Sequence, residues 1–205
     1  MESSTYHHGD LKNALIKAGV EILANEGLSG LSLRKVAKQA GVSHAAPYSH
    51  FTDKQALIAA ISTEGFRQLH TQLEEVATTH QELPESLLIE TAWTYLQFAL
   101  NNPDRFKLMF SSVLEKEKDY PDFVDASQDN FRELVSVVEI CQQAGILKPG
   151  PADLVAVVVW GAVHGLLMLI LEGQIPRAVL NEYNLRELVL HSLNQVTLTK
   201  LTEST

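Results

Sequence analysis

The sequence predicts an all-α chain of nine helices and no sheet. Apolar residues recur at three- and four-residue spacing along almost all of its length, which is the period of an amphipathic helix. Glycine, proline and capping residues fall between those periodic stretches, where helices stop and restart. No stretch shows the apolar–polar alternation of a half-buried strand, and there is no repeat or low-complexity tract.

The elements follow in order. Asp10 to Asn25 carries Leu11, Ala14, Leu15, Ala18, Ile22 and Leu23 on one face and stops at Gly27. Ser32 is placed to cap a short helix, Leu33 to Ala40, whose buried face is Leu33, Val36, Ala37 and Ala40. Gly41 follows its last turn, where a positive φ is cheapest for glycine. Ser43 is expected to cap a second short helix, His44 to His50. Thr52, with Gln55 three residues on, has capping-box spacing for a long helix running toward Thr79. Pro84 sits in the first turn of a helix reaching Leu100, and Asn102-Pro103-Asp104 starts the next. Phe123 to Ala144 is stopped by Gly145, and Lys148-Pro-Gly-Pro151 breaks the chain firmly. Asp153 to Leu171 and Asn184 to Thr199 complete the nine.

Two short helices joined by a glycine turn have the layout of a helix-turn-helix, in which the second helix stands clear to enter a DNA groove. A net charge of −9 over 205 residues looks wrong for that role until it is divided. Residues 1–55 carry six basic and five acidic side chains, a surplus of +1, whereas the remainder carries ten against twenty. A head able to approach phosphate and a body repelled by it are the implied arrangement.

Other function classes find little support. There is no GxSxG, no glycine-rich phosphate loop and no paired-acid motif, so neither an enzyme nor a cofactor site is expected. Of eight histidines only His7 and His8 are neighbours, and no helical pair at i,i+4 or cysteine partner suggests a metal. Glu74-Glu75 and Glu115 to Asp119 read as solvated faces. The single cysteine, Cys141, excludes an intrachain disulfide and fits a reducing cytoplasm with a buried, inert thiol. The polar N-terminus lacks the apolar run of a signal peptide. Leu154 to Leu171 has the minimum length for a membrane span, but Asp153 and Glu172 bound it and no basic cluster flanks it; a buried core or dimer helix is expected.

The pattern GVSxxxxYxHFxxKxxL, here Gly41-Val42-Ser43, Tyr48, His50-Phe51, Lys54 and Leu57, resembles the TetR family of bacterial transcription regulators over residues 9–69. Trp160-Gly-Ala-Val-His164-Gly165 and Asn102-Pro-Asp-Arg-Phe resemble the branch of that family with a W-H-G signature in its C-terminal domain. The resemblance implies a nine-helix architecture: a three-helix DNA-binding head (9–69, motif 32–51) and a ligand-binding and dimerisation body (84–199). It implies backbone contacts from Tyr48 and His50 and a phosphate contact from Lys54, at a helix start that favours anions. Ser32 and Arg34 could add phosphate contacts, while His44, Ala45, Ala46 and Ser49 are placed to face base edges. Pro47 removes the N–H that would close the first intrahelical bond of that helix, so it should start late or be distorted.

The body is expected to pair with a second copy through its last two helices and to bind a small apolar or amphipathic effector. Candidate pocket residues are Trp93, Phe98, Phe106, Met109, Phe110, Phe131, Trp160 and His164. Trp160 and His164 equally fit simple packing in a core, and Gly161 and Gly165 share a helical face that another backbone can approach. A repressor released from a pseudo-palindromic double-stranded operator is the expected function. An all-α carrier without DNA binding is the alternative, resting on the small surplus of the head.

Overall fold

The computed structural model describes residues 8–114 and 117–202, with the side chains taken up from Leu11 onward. His7 of the histidine pair and residues 115–116 of the acidic run lie outside that description. Among the described residues there are nine α-helices: α1 (His8–Gly30), α2 (Leu33–Gln39), α3 (Lys54–His80), α4 (Pro84–Asn101), α5 (Pro103–Met109), α6 (Pro121–Gln143), α7 (Ala152–Leu171), α8 (Arg177–Glu182) and α9 (Leu185–Asn194). Short 3-10 turns occupy Ala46–Ser49 and Glu117–Asp119. The described residues include no strand beyond an isolated antiparallel bridge between Leu147 and Thr197.

Internal packing divides the chain into two compact units. One comprises residues up to Arg67 together with Asn102–Ala126; the other comprises Gln68–Asn101 and the chain from Ser127. The 102–126 segment, assigned to the body on sequence, therefore packs with the head.

In the first unit α1 runs past its expected end, but Gly27 (φ 68°) interrupts it with a kink. Leu15, Ala18, Ile22 and Leu23 of α1, Val36 and Ala37 of α2, and Leu57 and Ile61 of α3 are buried together with Phe51. Each fully buried Leu or Ile contributes about 1.5–3 kcal/mol by leaving water. Phe66 meets Phe110 edge-on with ring centres 5.2 Å apart and Phe123 at 5.7 Å, and Phe106 lies 4.7 Å from Phe110.

In the second unit α4, α7 and α9 surround a core that includes Leu88, Leu96, Val159, Val163, Leu167, Val189 and Leu193. Arg186 on α9 pairs with Glu90 on α4 and lies over the Trp93 ring, 5.2 Å from its centre. Cys141 is buried, donates to the Pro84 carbonyl at 3.4 Å, and has its thiol pushed up to about 12 by burial. It is inert.

Two further features near the C-terminal end differ from the sequence expectation. The last helix ends at Asn194, not near Thr199, because the Asn194 side chain turns back on Leu201. Its Oδ1 accepts from the Leu201 N–H at 2.7 Å and its Nδ2 donates to the Leu201 carbonyl at 3.2 Å. The tail then runs alongside Ile146 and Leu147, with the Leu198 N–H donating to the Ile146 carbonyl at 2.7 Å. Helix α8 was not expected; it buries none of its six residues, so no apolar stripe marks it, and Pro176 only starts it.

Candidate nucleic-acid interface and effector residues

The presentation of the recognition segment begins with α2. The Ser32 hydroxyl accepts from the Lys35 N–H at 3.2 Å and so caps the helix, as its position predicts. At the other end Gly41 (φ 70°) takes the left-handed conformation. The Gly41 N–H then reaches the Lys38 carbonyl at 3.2 Å and the Val42 N–H reaches the Ala37 carbonyl at 3.0 Å, which closes the helix and turns the chain sharply.

The expected helix His44–His50 is a 3-10 turn over Ala46–Ser49. Pro47 explains this. Without its N–H no bond can run back to the Ser43 carbonyl, and that carbonyl is taken instead by Ala46 N–H at 3.0 Å. Tyr48 bonds Ala45 at 3.2 Å and His50 bonds Pro47 at 3.0 Å in the same tighter register. The turn is capped at Ala45 with no side-chain bond, so Ser43 does not serve as its cap. Thr52 does not cap the next helix either: the Asp53 carboxylate accepts from the Ala56 N–H at 2.8 Å, one residue later than the sequence suggests.

This geometry leaves Arg34, His44, Ala45, Tyr48 and Ser49 exposed, and Ser32, Ala46 and His50 half-buried, while Pro47 and Phe51 face the core. Tyr48 is the most prominent, 62% exposed. The Ser49 hydroxyl donates to the Ala46 carbonyl at 2.7 Å. Lys54, half-buried, donates to the Leu28 carbonyl at 2.9 Å, just after the α1 kink. One of its three donors thus ties the start of α3 to α1. Lys35 forms an ion pair with Glu26.

The eight candidate pocket residues fall into separate groups. Phe106, Met109 and Phe110 belong to the aromatic core of the first unit, where Phe106 and Met109 are buried. In the second unit Trp93 lies beneath Arg186 and Phe98 is buried in α4. Phe131, Trp160 and His164 do come together: the Phe131 and Trp160 rings are 6.4 Å apart, and Trp160 and His164 are 5.6 Å apart.

Sequence reading missed the residue that organises this last group. The Tyr95 hydroxyl accepts from Trp160 Nε1–H at 3.0 Å and meets His164 Nδ1 at 2.8 Å. Burial pushes the Tyr95 phenol well above its ordinary range, so it stays protonated and donates to the imidazole. Burial also lowers the His164 pKa, favouring a neutral ring protonated on Nε2. A tyrosine at helical spacing from Ala92, Phe98 and Ala99 is the signal that could have found it, because a buried phenol needs a partner.

Helix α7 has an unusual surface. Its mean hydropathy of 2.5 would suit a core helix or a membrane span by composition alone, yet only 22% of its apolar window is buried. Leu154, Val157, Val158 and Leu169 are between 45% and 62% exposed. A Cβ placed on Gly161 or Gly165 would meet nothing within 4 Å.

Comparison with known proteins gives two family matches. Residues 15–61 match the bacterial regulatory proteins of the tetR family, and residues 88–193 match the tetracyclin repressor-like C-terminal domain. An uncharacterised HTH-type transcriptional regulator, YobS of Bacillus subtilis (strain 168), is 27% identical over 53% of this chain and 56% of its own length. The class A tetracycline repressor protein from transposon 1721 of Escherichia coli is 37% identical over 29% of this chain and 27% of its own. The aligned part therefore spans about half the length of the first relative and about a quarter of the second. Among solved structures, a protein of unknown function from Rhodococcus sp. RHA1 is 31% identical with a TM-score of 0.77, covering 94% of this chain and 96% of that one.

Proposed function

The chain belongs to the TetR family of bacterial regulatory proteins, and on that premise we propose that it is a homodimeric DNA-binding transcriptional regulator of the cytoplasm. The observation that carries the reading is the α2–Gly41–3-10 segment, which holds Phe51 and Pro47 inward and presents Arg34, His44, Ala45 and Tyr48 outward. Two such heads in a two-fold dimer read a pseudo-palindrome whose half-site spacing equals the separation of the heads. Ser32, Arg34, Tyr48, His50 and Lys54 position the head on phosphate; His44, Ala45, Ala46 and Ser49 lie toward the bases.

The dimer forms through α7 and α9. Support comes from the exposed apolar face of α7 and from the open space over Gly161 and Gly165, into which a second backbone fits. A small apolar or amphipathic effector binds the body, against the aromatic surface that Phe131, Trp160 and His164 form around the Tyr95 hydroxyl. Effector and operator weaken each other's binding by one coupling free energy. The name of the class A relative supports repression as the sign of regulation.

The test is binding of the purified chain to fragments of its own upstream DNA and to a genome-wide fragment pool, at two salt concentrations, with footprinting. A protected pseudo-palindrome whose affinity falls steeply with salt is expected. Failure to bind either source of DNA would turn the reading to an all-α ligand carrier.

A further inference from the structure

The recognition segment carries an unusual inventory of side chains. From Ser43 to His50 it contains no Arg, Lys, Asn or Gln, the residues that make bidentate contacts with purine edges in the major groove. Its hydroxyls and imidazoles are single-point contacts, and the Ser49 hydroxyl already donates to the Ala46 carbonyl at 2.7 Å. The 3-10 geometry then decides which side chains lead. With three residues per turn, positions three apart stack on one ridge. Pro47 is buried, so the ridge of His44, Pro47 and His50 turns inward along its middle. Ala46 is half-buried. Ala45 and Tyr48 share the ridge that faces outward, both exposed.

We propose that the Ala45 methyl, backed by the Tyr48 ring, is the specificity-determining contact of this head, and that it reads the C5-methyl group of a thymine. The inference rests on the DNA-binding reading above. Its chemistry is apolar contact: a methyl group presented to a groove cannot distinguish donors from acceptors. It does gain when the base opposite it buries a methyl of its own. Each half-site then carries an obligatory thymine whose recognition involves no hydrogen bond. Phosphate contacts from Ser32, Arg34, His50 and Lys54 hold the head in register and carry no sequence information.

The experiment starts from a random-sequence duplex pool, enriched by the full-length protein, and takes the resulting symmetric site as the probe. Each thymine is replaced in turn by deoxyuridine, which removes the methyl and leaves every hydrogen-bonding group in place. One thymine per half-site is expected to weaken binding about fourfold when so replaced, from the burial lost with one methyl. Replacing it in both half-sites is expected to weaken binding about fifteenfold. Ala45→Gly, at a position with φ −82° and ψ −22° that glycine adopts freely, is expected to bind the thymine and deoxyuridine duplexes equally. Wild-type binding that is indifferent to deoxyuridine at every position overturns the inference and leaves the regulator reading intact. So does a deoxyuridine penalty that persists in Ala45→Gly. Enrichment of no sequence at all overturns both.

Discussion

Tyr95 and His164, 69 residues apart in the chain, share a hydrogen bond of 2.8 Å, and the same hydroxyl accepts from Trp160 Nε1–H at 3.0 Å. Two aromatic residues spaced four apart on α7 are thereby fixed by one atom of α4. Tyr95→Phe removes that atom and leaves an indole N–H and an imidazole nitrogen without it. The expected cost is about 1–3 kcal/mol, read by urea denaturation followed through tryptophan fluorescence.

The same arrangement makes stability depend on pH. Burial holds the His164 pKa below its ordinary value of 6.5 in the folded chain. The unfolded chain therefore takes up the proton first as pH falls, and protonation favours unfolding. The contribution is whole above about pH 6.5 and is lost as pH drops from there through the folded value. His164→Gln should flatten that part of the profile. If the wild-type and variant curves stay parallel between pH 7.5 and 5, burial of a neutral imidazole is not what sets the dependence.

The reach of sequence reading follows the reach of the interactions. Ser32, Gly41 and the distortion at Pro47 were legible because each acts on backbone groups within a few residues. Asp53 displacing Thr52 as the cap of α3 is a choice between two adjacent capping residues, which local propensity does not separate. The end of α9 was not legible: the apolar spacing continues through Val196, but Asn194 is committed to Leu201, and the tail to Ile146. Tyr95 was overlooked for the same reason, since its partners lie on a helix far along the chain. Apolar content marks burial, so the candidate pocket residues are drawn from both units: Phe106 and Phe110 pack in one, and Trp93 lies under Arg186 in the other.

In the proposed dimer, Gly161 and Gly165 separate the stability of one chain from that of the pair. Beyond the adjoining backbone of α7 itself, nothing lies within 4 Å of a Cβ at either position. Helix propensity favours leucine over glycine by up to about 1 kcal/mol per position. Gly161→Leu/Gly165→Leu should therefore keep its helical circular dichroism and unfold no more easily per chain, yet sediment as a monomer at micromolar concentration. A dimer that survives both substitutions would place the interface elsewhere.

Pro47 imposes the 3-10 register on the recognition turn, but the residues it presents are also held by Phe51, which is buried, and by the bonds of Phe51 and His50 to the Pro47 carbonyl at 2.9 and 3.0 Å. Alanine retains that carbonyl. Pro47→Ala is expected to keep operator binding within about threefold and to lose about 0.4–1 kcal/mol through the greater freedom of the unfolded chain. Complete loss of binding in a mobility-shift titration would show that the distortion itself is what the groove recognises.

One substitution can tell the tethering role of Lys54 from its proposed phosphate contact. Its ammonium donates to the Leu28 carbonyl at 2.9 Å, beside the kink at Gly27, and it stands at the first position of α3, where the helix N-terminus favours a phosphate. Lys54→Ala should lower the slope of log affinity against log salt by about one for each half-site, because one fewer counterion is released per head. The weakening should be uniform across operator variants, since a phosphate contact carries no base information. The lost bond to Leu28 should also cost about 1 kcal/mol of stability, seen as a lower midpoint in denaturant without DNA. A lower midpoint with an unchanged salt slope would make Lys54 a tether between α1 and α3 only, and would leave Arg34 as the charged phosphate contact on the recognition surface.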